Sequence, residues 1–73
     1  MPARMGDIVR AAKHLGLRVS EGVGTSHWKF ERNGYRPYPI SAHNGAKQEI
    51  TDLYIRKMCR AMGVDEDELR ALF

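Results

Sequence analysis

At 73 residues, with twelve Lys and Arg against nine Asp and Glu for a net charge of +3, the chain has room for one small domain with a modest core. That domain is expected to span the whole of residues 1–73. The only cysteine is Cys59, so no internal disulfide framework supports the core, and an unpaired thiol fits a reducing cytoplasm. Met1-Pro2-Ala3-Arg4 leads into no apolar segment and no apolar run reaches membrane-spanning length, so a soluble, cytoplasmic protein without a membrane partner is expected.

Ile8, Ala11, Ala12 and Leu15 follow the spacing of a helix with one apolar stripe, with Asp7 placed to cap its start and Gly16 to end it. Leu17-Arg18-Val19-Ser20 alternates apolar and polar, as a strand does, before Gly22 and Gly24 break the run. His27-Trp28-Lys29-Phe30-Glu31 alternates again. Asn33-Gly34 then predicts a two-residue hairpin turn, with Tyr35 to Ile40 as the return strand. Pro37 and Pro39 cannot donate to a ladder, which puts that strand at a sheet edge.

With this turn, Arg32 would pair with Tyr35, Glu31 with Arg36, Lys29 with Tyr38 and His27 with Ile40. Trp28 and Phe30 would then face the core together with Tyr35, Pro37 and Pro39. His27, Lys29, Glu31, Arg36 and Tyr38 would share the opposite, open face.

Ser41 to Gln48 reads as a polar connection carrying His43-Asn44-Gly45. A second helix is predicted from an N-cap near Thr51, with Ile50 and Ile55 as a hydrophobic staple and Ile55, Met58, Cys59 and Met62 as its stripe. Gly63 ends it, and Asp65-Glu66-Asp67-Glu68 caps a short last helix containing Leu69 and Leu72. The predicted class is a two-layer α+β domain of order αβββα with a further short helix: a three-stranded antiparallel sheet covered by helices on one face.

Between Lys13 and Lys57 the chain carries Arg18, Lys29, Arg32, Arg36, Lys47 and Arg56, whereas four of its acids gather at Asp65 to Glu68. A body more basic than the total charge would attract phosphates, although scattered surface Lys and Arg account for the same pattern.

The segment carrying most chemistry is Gly24-Thr25-Ser26-His27-Trp28-Lys29-Phe30. A His entering a strand after a Gly-Thr-Ser turn suits proton transfer near neutral pH. Lys29 and Arg36 would set positive charge where a phosphorane gathers negative charge, and backbone N–H groups of Gly24, Thr25 and Ser26 would add donors. A lone strand histidine in a structural or surface role is the competing reading. His14, in the last turn of the first helix, suits the helix dipole. His14, His27 and His43 lack metal-ligand spacing and Cys59 lies on an apolar stripe, so neither a metal nor another cofactor is expected.

The same residues resemble the HicA family, the small endoribonuclease toxins of toxin–antitoxin pairs. The resemblance rests on Gly24-Thr25-Ser26-His27 opening the second strand with Trp28 behind it, then on Arg32-Asn33-Gly34, Tyr38-Pro39-Ile40, His43-Asn44-Gly45 and the helix from Ile50 to Lys57. It implies a fold like a double-stranded-RNA-binding domain, cleavage of mRNA with His27 as the catalytic residue, and neutralisation by a HicB-like antitoxin. Thr25 adds a residue between the Gly and the Ser-His pair, Trp28 stands where many members have a second His, and His43 lies farther past Pro39 than the family's loop His. Only His27 therefore carries over.

The implied reaction is metal-independent, with His27 deprotonating a ribose 2′-OH. The acid for the leaving 5′-oxygen is left open among His43, Tyr38 and Lys29. Lys47, Arg56 and Lys57 are weaker candidates for RNA contact. The alternatives are a non-catalytic double-stranded-RNA-binding module, to which the acidic start of the second helix (Glu49, Thr51-Asp52) is unfavourable, and a protein-interaction domain using the open sheet face.

Overall fold

A computed structural model describes residues 1–22 and 26–73. Val23, Gly24 and Thr25 lie outside the described residues, and with them the proposed backbone donors of Gly24 and Thr25. The elements are β1 (Ala3–Arg4), α1 (Met5–His14), β2 (Arg18–Glu21), β3 (His27–Glu31), β4 (Tyr38–Ser41), a 3₁₀ turn (Gly45–Lys47), β5 (Glu49–Ile50), α2 (Asp52–Met62) and α3 (Glu66–Arg70). β2, β3 and β4 form an antiparallel sheet with β3 in the centre. The result is the expected two-layer α+β arrangement, αβββαα in its main elements. No helix among the described residues is long and apolar enough to cross a membrane.

One face of the sheet is buried because it carries the apolar half of each alternation. Val19, Trp28, Phe30, Tyr38 and Ile40 lie on it, and the helices cover it with Ile8, Ala11 and Ala12 of α1, Ile55, Met58 and Met62 of α2, and Leu69 of α3. Cys59 is buried in the same layer, as its place on the stripe predicts. Burial drives its thiol pKa up to about 11, with the charge of Glu66 adding to the effect.

The hairpin differs from the expected one by a single residue, and the difference decides which side chains meet water. Trp28 pairs with Ile40, Lys29 with Pro39, Phe30 with Tyr38, and His27 with Ser41. A two-residue turn of the expected type needs positive φ at both Asn33 and Gly34. Only Gly34 adopts it (φ 87), and no non-glycine residue in the described chain does. The turn bond from the Tyr35 N–H to the Arg32 carbonyl still forms (3.0 Å), but the rungs beyond it leave Tyr35 as an extra loop residue.

Every later rung moves by one, which in a period-2 strand exchanges the faces. The shift is the favourable one: it buries Ile40, 4% exposed, which the expected pairing would have set beside His27 in water. Tyr38 goes inward with it, away from His27's face. Arg36 falls in the loop before β4 rather than in a strand. The expectation that the proline-bearing strand forms an edge stands.

Two further differences lie at the helix starts. α1 begins at Met5, not after Asp7, because the residues before it pair with β5: Ala3 faces Ile50, Arg4 faces Glu49, and the Met5 N–H donates to the Gln48 carbonyl (2.8 Å). Thr51 stands at the N-cap of α2, yet its side chain makes no capping bond. Asp65 does cap α3, its Oδ1 accepting from the N–H groups of Asp67 (2.8 Å) and Glu68 (3.1 Å).

The displaced loop residue docks on the end of α2. Arg32 Nη1 donates to the carbonyls of Met62 (2.8 Å) and Gly63 (3.1 Å), and its guanidinium lies 4.9 Å from the centre of the Tyr35 ring. Gly63 sits at φ 65, and a Cβ built there would lie 2.5 Å from Tyr35 Oη and 2.7 Å from Cζ. Gly63→Ala is therefore expected to lose about 1–2 kcal/mol from the left-handed backbone and more from expelling Tyr35. Thermal unfolding should show a midpoint lower by at least about 4 °C, with a smaller loss when the substitution is made in a Tyr35→Ala background.

Arg70 ties α3 to the start of α2. Its Nε donates to Glu66 Oε2 (2.8 Å) and its Nη2 to Asp52 Oδ1 (3.0 Å), and Arg56 adds a longer ion pair to Glu66 (3.4 Å). The Arg70 hydrogen bond holds the Glu66 carboxyl below its ordinary pKa, with the charges of Arg70 and Arg56 adding to it and partial burial opposing. A carboxyl depressed in the folded state stabilises above its unfolded pKa, about 4.3 for Glu, and that contribution is lost as pH falls through the folded value. Thermal midpoints of wild type and Arg70→Met should thus differ at pH 7 and converge as pH drops below about 4.

Candidate functional site

The helices take one face of the sheet and leave the other to solvent. Because β3 alternates, the burial of Trp28 and Phe30 forces His27, Lys29 and Glu31 outward. The rungs then add neighbours from both flanking strands: Arg18 opposite Glu31, Ser20 and Pro39 on either side of Lys29, and Ser41 opposite His27. His27 and Lys29 are exposed, as are Arg18, Ser20, Pro39 and Ser41. Lys29 Nζ lies 3.7 Å from Glu31 Oε1, an exposed pair that an incoming phosphate can compete with, since such pairs hold weakly.

His27 opens β3 at the end of the sheet away from the hairpin tip. The ladder continues one rung past it, where the Ala42 N–H donates to the Ser26 carbonyl (2.8 Å), and the Gly22 N–H donates to the carbonyl of His27 itself (2.8 Å). His27's backbone is therefore held from both sides. His43 follows directly after Ala42, so the connection to the 3₁₀ turn brings a second exposed imidazole to the His27 end of the sheet. Lys47 is exposed at the end of that turn, which packs against the start of α1, where Ala46 lies against Gly6, and not beside His27.

The other candidates are placed elsewhere. Tyr38 pairs with Phe30 on the buried face, where burial first, and then the nearby Tyr54 phenol, raise its pKa. A general-acid role beside His27 does not follow from that position. Arg36, in the loop at the hairpin tip, is separated from His27 by the length of β3, roughly 13 Å at about 3.3 Å per residue. Arg56 and Lys57 are exposed on α2, in the layer behind the sheet, with Arg56 engaged by Glu66. What remains around His27 is Ser26, Lys29, Ser41 and His43. Among the described residues no three His, Cys, Asp or Glu side chains come together as a metal would need.

One feature near His27 had no signal in the sequence. Between the free edge of β4 and the β5–α2 junction runs a groove of about 290 Å³, lined by Pro39, Ile40, Ser41, Gln48, Glu49, Ile50, Thr51 and Tyr54. Its walls come from segments about ten residues apart in the chain, which no local pattern connects.

The chain matches no family model, and no curated protein or solved structure is similar to it at a significant level.

Proposed function

We propose that this protein is a toxin-type endoribonuclease of the HicA kind, acting on mRNA in the cytoplasm through His27 and held in check by a HicB-like antitoxin. The observation that carries the proposal is the exposure of His27 on the open sheet face, with Lys29 two positions along the strand and His43 at the same sheet end. Imidazole accepts a proton near neutral pH. His27 takes the proton of a ribose 2′-OH, the 2′-oxygen attacks the adjacent phosphorus, and the P–O5′ bond breaks. The products are a 2′,3′-cyclic phosphate and a 5′-hydroxyl whose proton comes from an acid, for which His43 and Lys29 are the candidates on this side of the sheet. Lys29 also stands where charge builds on the phosphorane. The antitoxin and the mRNA substrate come from the family resemblance.

The test is induction of wild type and His27→Ala in a bacterial host, following growth and RNA integrity together. Growth arrest with mRNA fragmentation by wild type and neither by His27→Ala is the expected outcome. Equal behaviour of the two proteins overturns the assignment of His27 and favours the non-catalytic RNA-binding module.

A further inference from the structure

We infer that the groove beside β4 is a base-binding subsite: it takes one unstacked nucleobase of single-stranded RNA, with Tyr54 as the stacking platform. The choice of RNA rests on the ribonuclease reading above; the groove itself rests on its own geometry. Its floor is apolar, made by Ile40 and Ile50, each 4% exposed. Its rim is polar, with the Ser41 and Thr51 hydroxyls, the Glu49 carboxylate and the Gln48 carboxamide. An apolar slot with a few polar groups at its edge is the usual form of a small-ligand site, and about 290 Å³ is at the small end of such sites.

Three observations favour a base over other occupants. Tyr54 is 50% exposed in the first turn of α2 and lines the groove, which puts an accessible aromatic side chain beside any planar ligand seated there. Thr51 lines the groove at the N-cap position and its side chain makes no capping bond, so its hydroxyl is not committed to the helix end. The groove also joins the candidate catalytic face, because Ser41 both lines it and pairs with His27. Neighbouring strands lie about 4.8 Å apart, so a base seated here belongs to a nucleotide next to the phosphate that His27 faces. Proteins that read single-stranded RNA splay bases onto aromatic rings and address their edges with polar groups.

The experiment uses His27→Ala protein, so that RNA is not consumed, and measures fluorescence anisotropy with a labelled single-stranded octaribonucleotide. A labelled abasic ribose-phosphate octamer of equal charge serves as the second probe. The octaribonucleotide is expected to bind more tightly than the abasic strand. Adding Tyr54→Ala should weaken its binding by about 5- to 150-fold, the range for loss of one stacked base, without changing binding of the abasic strand. Tyr54→Phe should retain affinity, and Leu53→Ala, an exposed neighbour outside the groove, should change nothing. If Tyr54→Ala fails to fold by circular dichroism, Ser41→Tyr, which fills the groove from the β4 side, replaces it with the same expected loss.

Equal binding of both probes, indifference to Tyr54, or no binding of the octaribonucleotide overturns the subsite. Cleavage by wild-type protein is scored separately. RNA cut in a His27-dependent way with no Tyr54 effect sinks the subsite alone, whereas Tyr54-dependent binding without cleavage sinks the ribonuclease reading alone.

Discussion

Phe30→Ala is expected to bring the domain to the edge of unfolding. Phe30 is fully buried at the centre of the middle strand, between Val19 on β2 and Tyr38 on β4, under the helices. Removing a buried aromatic side chain costs about 3–5 kcal/mol through lost transfer energy and the cavity left behind. A domain of this length has a total stability of roughly 4–11 kcal/mol at the usual value per residue. Few neighbours can close the gap, because Phe30 sits on a sheet whose backbone is pinned by ladders on both sides. Urea unfolding followed through Trp28, the single tryptophan, should show the transition moved to much lower denaturant. A cost under about 1.5 kcal/mol would mean that the core is not organised around β3.

The second large effect is functional. His27→Ala should reduce RNA cleavage by about 10²- to 10⁴-fold, the range for a positioned general base, and cost no more than about 1.5 kcal/mol of stability, the range for one hydrogen bond. The two halves of that statement have one structural origin. His27 is exposed, so its side chain contributes little to the core, while its backbone is fixed by the Gly22 N–H and the adjoining rungs. Loss of activity in a protein whose urea transition stays cooperative and close to that of wild type separates chemistry from folding. Parallel losses of both would make His27 a structural residue.

Much of the fold is legible in the sequence because its signals are local. The stripe Ile8, Ala11, Ala12 and the stripe Ile55, Met58, Cys59, Met62 mark their helices, and the prolines mark an edge strand. Register is less legible, since it depends on whether one residue, Asn33, adopts positive φ. When it does not, Tyr35 becomes surplus and the burial of Ile40 settles the rest. The β1–β5 pairing has no signal at all, because two-residue strands are too short to show a period.

The candidate site divides along the same line. The outward position of His27 and Lys29 follows from Trp28 and Phe30, and was readable. The separation of Tyr38 and Arg36 from them depends on the register and was not. The groove depends on tertiary packing of β4 against the β5–α2 junction, so Tyr54 and Thr51 stood in the sequence as ordinary helix-start residues.

His27-dependent attack by the ribose 2′-OH is tested by cleavage by purified protein, in EDTA, of a short single-stranded oligoribonucleotide and of the same oligomer with 2′-deoxyribose at the cleaved position. The expected result is a 2′,3′-cyclic phosphate product from the ribose substrate, no cut at the deoxy position, and loss of the product with His27→Ala. Cleavage that persists at the deoxy position, or that His27→Ala leaves intact, would contradict it.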